Sequence, residues 1–317
     1  MKLAYLLPAT LLLSAASYAE TLTIYTAGPK GLSQELVQGF EKKTGATIEL
    51  YQATGGKIMS RYQAEKSNPH VDVMISSSMG HAITLDKAGE LLAYQSPNAK
   101  TVPDFLKTDT YTAQGTAVLA IAYNTQSNLP MPKRWSDLTK PEYKGQVTMP
   151  DPSKSGSSLT LMEGLVEKMG DSAWTLLADL KANDMLVPGP NNAALNPVLS
   201  GAKGVVFGAV DYIALGLKAK GETLEVVYPE DGTVLAPRPM MILKSTQHEA
   251  LAKQFVDYVL SDEGQKLVAD TLILPARADI KTQRPSYADL NLITFDEAAA
   301  AKKAQETKDH FTQIMSH

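Results

Sequence analysis

Short apolar runs alternate with amphipathic stretches along the first third of the chain. Each run ends in a turn-forming loop, which is typical of a strand, and the stretches between them place apolar residues on one helical face. The pattern predicts strands over residues 22–25, 47–51 and 71–75, helices over 32–43 and 57–66, and after the third strand a helical stretch that holds Ile83, Leu85, Leu91 and Leu92. This alternating order indicates a parallel sheet with helices on both faces.

The same alternation returns in the second half of the chain. A long apolar run over residues 116–124 predicts a buried strand, and a proline-rich irregular segment over 130–141 follows it. Further strands are predicted over 146–149, 185–187, 205–209, 224–228, 233–236 and 240–243, and helices over 159–169, 173–181, 193–200, 212–218, 248–260, 264–271 and 295–315. Because two α/β units follow each other without a flexible linker, we expect several chain crossings between two domains.

Residues 1–19 have the pattern of an export signal. Lys2 supplies the positive charge, residues 3–16 the apolar stretch and residues 17–19 the small-residue cleavage site. The apolar stretch is shorter than the ~20 residues that span a bilayer, and Pro8 interrupts it. We therefore expect a cleaved signal peptide and a mature protein in the bacterial periplasm.

Composition excludes several classes of function. The chain has no cysteine, which excludes thiol catalysis, cysteine-type zinc clusters and iron–sulfur ligation. A formal net charge of −4 without a basic tract argues against a nucleic-acid partner. The sequence contains no HExxH, P-loop or complete GxSxG motif, so we predict no catalytic residue and no enzyme activity.

Loops rich in glycine and hydroxyl groups precede several of the predicted helices. Helix N-termini present unpaired N–H groups and a partial positive charge, so these loops suit an anion. The alternative is that each loop is an ordinary helix cap or tight turn. The candidate ligand-binding residues in these loops are Thr26, Gly28, Thr54, Gly55, Ser76, Ser77, Ser155, Ser157 and Ser158.

Polar residues also follow two strands of the second unit. Asp211 and Tyr212 come after the strand at 205–209, and Glu230 comes after the next strand. Ligands in open α/β sheets bind beyond the carboxyl ends of the strands, so these side chains, with Asn191, are candidates for a solute cleft. Carboxylates only accept hydrogen bonds, which suits hydroxyls or an ammonium group. The alternative is that Asp211 caps a helix and Glu230 belongs to a solvated turn.

Short motifs in a characteristic order cover nearly the whole chain after the export signal. They are LTIYT at 22–26, FEKKTG at 40–45, DVMI at 72–75, AYNT at 122–125, WSDL at 135–138, YKG at 143–145, FVDY at 255–258 and LSDEGQ at 260–265. In these motifs the chain resembles the periplasmic solute-binding proteins of the ferric-binding family, which are type II receptors that deliver solutes to ABC transporters.

The resemblance implies two α/β lobes, each a mostly parallel sheet flanked by helices, which close on a solute between them. Hinge strands are expected around 118–123 and 234–242, with Tyr123 and Pro237 near the crossings. The implied division is an N-terminal lobe of residues 20–122 and 238–290, a C-terminal lobe of residues 123–237, and a terminal helix within 291–317 that packs across both lobes. The implied partners are a small anionic solute and an inner-membrane ABC permease. A monomer without a cofactor is expected.

The resemblance also bears on iron. Ferric-binding members use two adjacent tyrosines at the start of a second-lobe helix, where this chain has Asp211 and Tyr212. The first lobe adds only the phenols of Tyr25 and Tyr51, and His81 is interpreted as a surface residue. A ferric ion prefers several anionic oxygens, so we predict no metal site.

The predicted solute is a small phosphorylated or anionic organic molecule. A phosphate at one end would suit the hydroxyl loops, and hydroxyl groups at the other end would suit Asp211 and Glu230. Within the family this combination is similar to the hexose-phosphate receptors, so a hexose phosphate is the leading candidate. The alternatives are an aminophosphonate, ferric iron, and a periplasmic enzyme that acts on phosphate esters. The sequence leaves open whether the partner is a permease or also a sensor.

Overall fold

The computed structural model describes residues 20–316, so the predicted export signal at residues 1–19 lies outside the described residues. The first lobe is built on three parallel strands, in which β1 lies between β2 and β3. Its first elements are β1 (Thr21–Thr26), α1 (Lys30–Thr44), β2 (Thr47–Gln52), α2 (Gly55–Ala64), β3 (Val73–Ile75) and α3 (Met79–Lys87). Leu32, Leu36 and Phe40 of α1 are buried on one face, as their spacing predicts.

The helix predicted after the third strand contains Ile83 and Leu85, as expected, but it ends before Leu91 and Leu92. It begins at Met79 and ends at Lys87, and Leu91 instead forms a bridge with Leu243. The apolar Leu91 and Leu92 continue the helical spacing in the sequence, but Gly89 with φ of 69° ends the helical conformation before them. Pairing with a distant strand therefore overrides local periodicity here.

Two long strands join the lobes. They are β4 (Tyr111–Asn124) and β9 (Leu235–Ile242), and they run antiparallel. The first part of β4 pairs with β9 up to Val118, and from Leu119 onward β4 pairs with strands of the second lobe. The lobe crossing on β4 therefore lies between Val118 and Leu119.

The predicted crossings were partly displaced. Pro237 lies beside the crossing, because it pairs with Thr116, whereas Tyr123 pairs with Val205 and Glu225 inside the second lobe. The two strands predicted at 233–236 and 240–243 form the single strand β9, because its prolines lie within the strand without ending it.

The second lobe repeats the parallel arrangement around β5, which pairs with β6 and β7. Its elements are β5 (Val147–Pro150), α4 (Gly156–Met169), α5 (Asp171–Ala182), β6 (Leu186–Gly189), α6 (Asn191–Leu199), β7 (Val205–Val210), α7 (Asp211–Ala219) and β8 (Leu224–Val227). Each lobe thus has a parallel core and antiparallel hinge strands, and the predicted two-lobed α/β fold is confirmed.

The remaining helices complete the first lobe and then reach the second. They are α8 (Glu249–Val259) and α9 (Asp262–Asp270), the short strand β10 (Leu274–Pro275), and α10 (Glu297–Ser316). Ala298 and Ala301 of α10 pack against the first lobe, and Phe311 is buried in the core of the second. No helix within residues 20–316 is long and apolar enough to cross a membrane.

Two carboxyl groups lie close together where α10 meets α4. Burial raises the pKa of Glu163 to about 7, partly offset by the charge of Lys308. Burial also raises the pKa of Glu297 to about 7, and the Glu163 carboxylate adds to this increase. The folded protein therefore holds protons on these groups at pH values where the unfolded chain releases them.

This difference predicts that stability falls as pH rises. Between the ordinary pKa of a glutamate and about pH 7 the folded state binds more protons, so the free energy of unfolding decreases with pH. At about 1.4 kcal/mol per pKa unit, and because each of the two pKa values lies about two units above pH 5, we expect the pair to lower it by about 5 kcal/mol between pH 5 and pH 8. Urea unfolding at pH 5 and pH 8 measures this loss. A variant with both Glu163→Gln and Glu297→Gln should lose clearly less stability than the wild type over this interval; an identical loss would contradict the assignment.

Candidate functional site

A cleft of about 580 Å³ lies between the lobes, at the carboxyl ends of β1 and β2 and beside the hinge strand β9. This volume is within the ~300–1,000 Å³ typical of small-ligand sites. The polar residues that line it are Tyr51, Gln52, Thr54, Lys57 and Ser77 from the first lobe, Lys154, Ser155, Ser157, Asn191, Asn192 and Tyr212 from the second, and Arg238 from β9.

Eight of the predicted ligand-binding residues line this cleft: Gly28, Thr54, Gly55, Ser77, Ser155, Ser157, Asn191 and Tyr212. They come from six separate segments of the chain, so the fold brings together groups that the sequence only suggested as neighbours. Whether they contact a solute stays a prediction.

Two glycines allow the loops to approach each other. A Cβ on Gly55 would lie 2.7 Å from the Ser77 hydroxyl, which is too short for a real contact. A Cβ on Gly156 would lie 3.3 Å from the same hydroxyl, across the cleft from the other lobe. The lobes are therefore close together at Ser77.

The second lobe carries a small hydrogen-bond network at the cleft. Ser155 donates to the Asn191 side-chain carbonyl at 2.8 Å, and the Asn191 amide donates to the Ser157 hydroxyl at 3.2 Å. Ser155 also accepts from the Ser158 N–H at 3.2 Å as the cap of α4. The starts of α4 and α6 are thereby held beside each other, and both face the cleft with unpaired N–H groups.

Three of the predicted hydroxyl groups do not line the cleft, and their assignment was wrong. Thr26 accepts from the Gly28 N–H at 2.9 Å, and Ser158 donates to the Pro150 carbonyl at 2.6 Å. Ser76 is fully buried, and its hydroxyl lies 2.7 Å from His81 Nδ1. Each hydroxyl is used inside its own loop, so it shapes the cleft without facing it.

His81 was wrongly interpreted as a surface residue. Its ring contacts Ser76 and is close to the Gly55 backbone, and burial lowers its pKa to about 4. The ring is therefore neutral at physiological pH and adds no charge beside the cleft.

Asp211 does not point into the cleft, contrary to the prediction. Its side chain is fully buried and forms an ion pair with Arg284. It also accepts hydrogen bonds from the backbone N–H groups of Val118 at 3.0 Å and Tyr212 at 2.7 Å, and from the Tyr228 hydroxyl at 3.2 Å. Burial raises the pKa of this carboxyl, while the Arg284 guanidinium favours its charged form. All of its acceptor capacity is thus used within the protein.

Glu230 is also outside the cleft, so that prediction was wrong as well. Its side chain is 55% exposed and lies 3.7 Å from Arg134 on the surface of the second lobe. Its backbone N–H bonds to the Lys133 carbonyl, which directs the loop away from the space between the lobes. Neither carboxylate predicted for the solute is therefore available to it.

Arg238 is the residue that sequence reasoning missed. It is only 6% exposed, it lines the cleft from β9, and its Nε has no hydrogen-bond partner in the part of the chain that the structure describes. Its other donors reach neutral oxygens, the Ala27 carbonyl at 3.1 Å and the Tyr212 hydroxyl at 3.0 Å. The available signal was an arginine between two prolines in an apolar strand, since arginine is rarely buried without a partner.

The charges around the cleft are of one sign. Arg238, Lys57 and Lys154 line it, and no Asp or Glu is among its described lining residues. Lys154 also forms an ion pair with Asp151, in which Lys154 Nζ lies 3.1 Å from Asp151 Oδ2. The starts of α2, α4 and α6 at Gly55, Gly156 and Asn191 add partial positive charge. The site is therefore electrostatically suited to an anion.

Residues 68–301 match the family model described as bacterial extracellular solute-binding protein, and the chain belongs to this family. It is a solute-binding protein of the ferric-binding type, as its sequence motifs indicated. Its two-lobed fold and its family place it among the bacterial extracellular or periplasmic receptors, which bind small solutes and deliver them to ABC permeases.

Two relatives illustrate the range of the family. An uncharacterized protein of Haemophilus influenzae is 27% identical and covers 92% of this chain and 89% of its own length. A putative 2-aminoethylphosphonate-binding periplasmic protein of Salmonella typhimurium is 24% identical and covers 87% of this chain and 85% of its own length.

Solved structures share the fold closely. The periplasmic binding protein P5PA has a TM-score of 0.84 at 25% identity, covering 93% of this chain and 99% of its own. AfuA from Actinobacillus pleuropneumoniae, with fructose-6-phosphate bound, has a TM-score of 0.80 at 24% identity. The match covers 94% of this chain and 97% of AfuA. Iron-bound HitA from Pseudomonas aeruginosa has a TM-score of 0.83 at 22% identity. The match covers 93% of this chain and 99% of HitA. The same fold therefore serves both phosphorylated solutes and iron.

Proposed function

We propose that this protein is the periplasmic receptor for a small phosphorylated solute with a hydroxylated body, with a hexose phosphate as the leading candidate, and that it delivers this solute to an ABC permease. The observation that carries the proposal is Arg238, a buried arginine that lines the cleft and whose Nε has no hydrogen-bond partner among residues 20–316.

The guanidinium supports a phosphate for reasons of geometry and energy. A guanidinium offers parallel N–H donors that match two oxygens of a phosphate, and such charge-assisted pairs are among the stronger hydrogen bonds. A buried donor without a partner costs about 1–3 kcal/mol, and a bound phosphate oxygen would remove this cost. The hydroxyls of Thr54, Ser77 and Ser157 surround the same space and offer further donors.

The rest of the cleft supports a neutral body on the solute. Gln52, Asn191, Asn192 and Tyr51 provide donors and acceptors without charge, which suits hydroxyl groups. An aminophosphonate carries an ammonium group, and the described cleft lining offers it no carboxylate now that Asp211 and Glu230 face elsewhere. The cleft therefore favours a sugar phosphate or a similar hydroxylated phosphate over a zwitterion.

The tyrosines do not favour iron. The Tyr212 hydroxyl accepts a hydrogen bond from Arg238, whose positive charge opposes a ferric ion at the same phenol. Tyr25 donates to Glu65 instead of facing the cleft, and burial raises its pKa to about 12. A phenolate site for a ferric ion would therefore need both tyrosines to change partners.

A thermal-shift screen tests the proposal, because a ligand that binds only the folded state raises the unfolding midpoint. The compounds are glucose 6-phosphate, 2-aminoethylphosphonate, glucose and ferric citrate. We expect glucose 6-phosphate alone to raise the midpoint. A rise with ferric citrate alone would support iron, and release of phosphate from glucose 6-phosphate by the purified protein would show an enzyme.

The three cleft hydroxyls give a further prediction. Thr54→Ala, Ser77→Ala and Ser157→Ala should each cost about 1.5–3 kcal/mol of binding free energy, the range for a hydrogen bond to a charged group. This is roughly a tenfold to hundredfold loss of affinity by calorimetric titration. Ser200→Ala is the matched control, because Ser200 is exposed and bonds only to the Pro197 carbonyl nearby. Unchanged affinity in all three variants would place the anion elsewhere.

A further inference from the structure

A buried ion pair connects the two lobes. Asp211 is the first residue of α7 in the second lobe, and Arg284 follows β10 in the first, 73 residues further along the chain. Arg284 also donates to the Leu272 carbonyl at 2.7 Å, which anchors it to the end of α9 in the first lobe. The side chains of the pair are 0% and 1% exposed, so the pair is separated from solvent.

The pair lies at the point where the chain crosses between lobes. Asp211 accepts from the Val118 N–H at 3.0 Å, and Val118 is the last residue of β4 that pairs with β9. The next residue, Leu119, pairs with Val210, which directly precedes Asp211. The carboxylate therefore holds the β4 crossing, the start of α7 and the first-lobe arginine at one place.

Tyr212 connects the Asp211 carboxylate to the solute cleft. The Tyr212 N–H donates to Asp211 at 2.7 Å, and the Tyr212 hydroxyl accepts from Arg238 at 3.0 Å. Tyr212 lines the cleft beside Arg238. A short path of hydrogen bonds thus runs from the lobe crossing to the guanidinium that we assign to the anion.

Stability alone does not account for such a pair. Replacing a buried ion pair by apolar residues of similar volume is often neutral or stabilising, whereas a pair with fixed geometry can specify one arrangement of the elements that it joins. Here the joined elements belong to lobes that rotate relative to each other when receptors of this class close.

We propose that the Asp211–Arg284 pair is a hinge pin, which fixes the axis of lobe rotation at Val118 and positions Tyr212 against Arg238 for solute binding. The second part rests on the proposed function, whereas the first part concerns the hinge alone. Asp211 and Arg284 are positioning residues, because neither side chain lines the cleft.

The distance between the lobes tests the hinge directly. The chain has no cysteine, so Ser60→Cys on α2 and Lys220→Cys after α7 supply two exposed labelling sites, one on each lobe. Electron-spin measurement on the doubly labelled protein without solute gives the distribution of distances. We expect one narrow distribution for the wild-type hinge and a clearly broader one for Asp211→Asn, which weakens the ion pair but keeps the shape.

Matched variants separate positioning from stability. Tyr228→Phe removes one hydrogen bond to Asp211 and one from Arg284 but leaves the ion pair between the lobes intact, so its distribution should stay narrow. The double variant Asp211→Leu with Arg284→Met removes both buried charges and should fold well, but its distribution should stay broad. Circular dichroism at the measuring temperature confirms that each variant is folded.

Affinity for glucose 6-phosphate provides the second readout. If the loose hinge leaves only about a tenth of the molecules competent to close, the apparent affinity falls about tenfold in Asp211→Asn and in the double variant. Narrow distributions in both of these variants would overturn the hinge pin, as would wild-type distance and affinity in the double variant. If the wild type binds no phosphorylated probe, the proposed function fails, while the distance distributions without solute still decide the hinge.

Discussion

Arg238→Gln should weaken binding of the phosphorylated solute by at least about 100-fold in a calorimetric titration. The substitution removes the charge and the parallel donors of the guanidinium, and two charge-assisted hydrogen bonds at about 1.5–3 kcal/mol each account for this loss. The fold should survive, because Arg238 has no carboxylate partner in the described cleft lining that the change would leave unpaired. The free energy of unfolding should therefore stay within about 1 kcal/mol of the wild-type value.

Two further variants give this prediction its controls. Arg238→Lys keeps the charge but loses the planar fork, so its affinity should lie between those of the wild type and Arg238→Gln. Lys57→Gln removes an exposed cation at the rim of the same cleft, and we expect a loss of about 1 kcal/mol or less. A large loss in Lys57→Gln with unchanged affinity in Arg238→Gln would move the anion site to the rim.

Breaking the Asp211–Arg284 pair should cost about 3–5 kcal/mol of stability, because either single change leaves one buried charge without its partner. Asp211→Leu and Arg284→Met should each show this loss in urea unfolding. The Asp211→Leu and Arg284→Met double variant should recover most of it, because no buried charge is left unpaired.

The loss of unfolding free energy in the double variant is compared with the sum of the losses in the two single variants. Two changes at independent sites add within about 0.5 kcal/mol, whereas residues in direct contact do not. Tyr228→Phe is the comparison within the same network. It removes one hydrogen bond to Asp211 and one from Arg284, and we expect a loss of about 2 kcal/mol for the two bonds. Additive losses in the double variant would show that the two charges do not depend on each other.

The lobes and most of their elements could be predicted because their signals are local. The strand–helix alternation at residues 22–75 and at 146–228 needs only periodicity and turn residues, and it places the loops of the cleft correctly. The extent of β4 was underestimated, since Thr112 and Gln114 are polar but buried between β9 and the helices of the first lobe. Pairing with distant strands decides such positions, and it leaves no local pattern.

The sequence predicted which loops form the cleft, but it did not predict which side chains of those loops face it. Ser76 and Ser77 are neighbours in the sequence, but only Ser77 lines the cleft, whereas the Ser76 hydroxyl is buried against His81. A shift of one residue therefore separates a structural hydroxyl from a candidate ligand-binding one. The sequence cannot supply that orientation without the packing of the loop.

Asp211 and Arg238 show why the roles of charged residues could not be predicted from the sequence. The sequence places Asp211 after a strand at a helix start, which is where a ligand-binding acid is also found. Its pairing with Arg284, 73 residues away, depends on how the chain returns to the first lobe. Arg238 has only a weak signal in the sequence, its place between two prolines in an apolar strand, and its burial beside the cleft makes it a candidate.

Calorimetric titration of the purified protein, in the presence of a strong metal chelator, tests the central claim most directly. The ligands are glucose 6-phosphate, glucose and 2-aminoethylphosphonate, and the comparison protein is Arg238→Gln. We predict that the wild type binds glucose 6-phosphate at one site without metal, that glucose lacking the phosphate does not bind, and that Arg238→Gln loses the interaction. Binding of 2-aminoethylphosphonate alone, or of no phosphorylated compound unless ferric iron is added, would contradict the account.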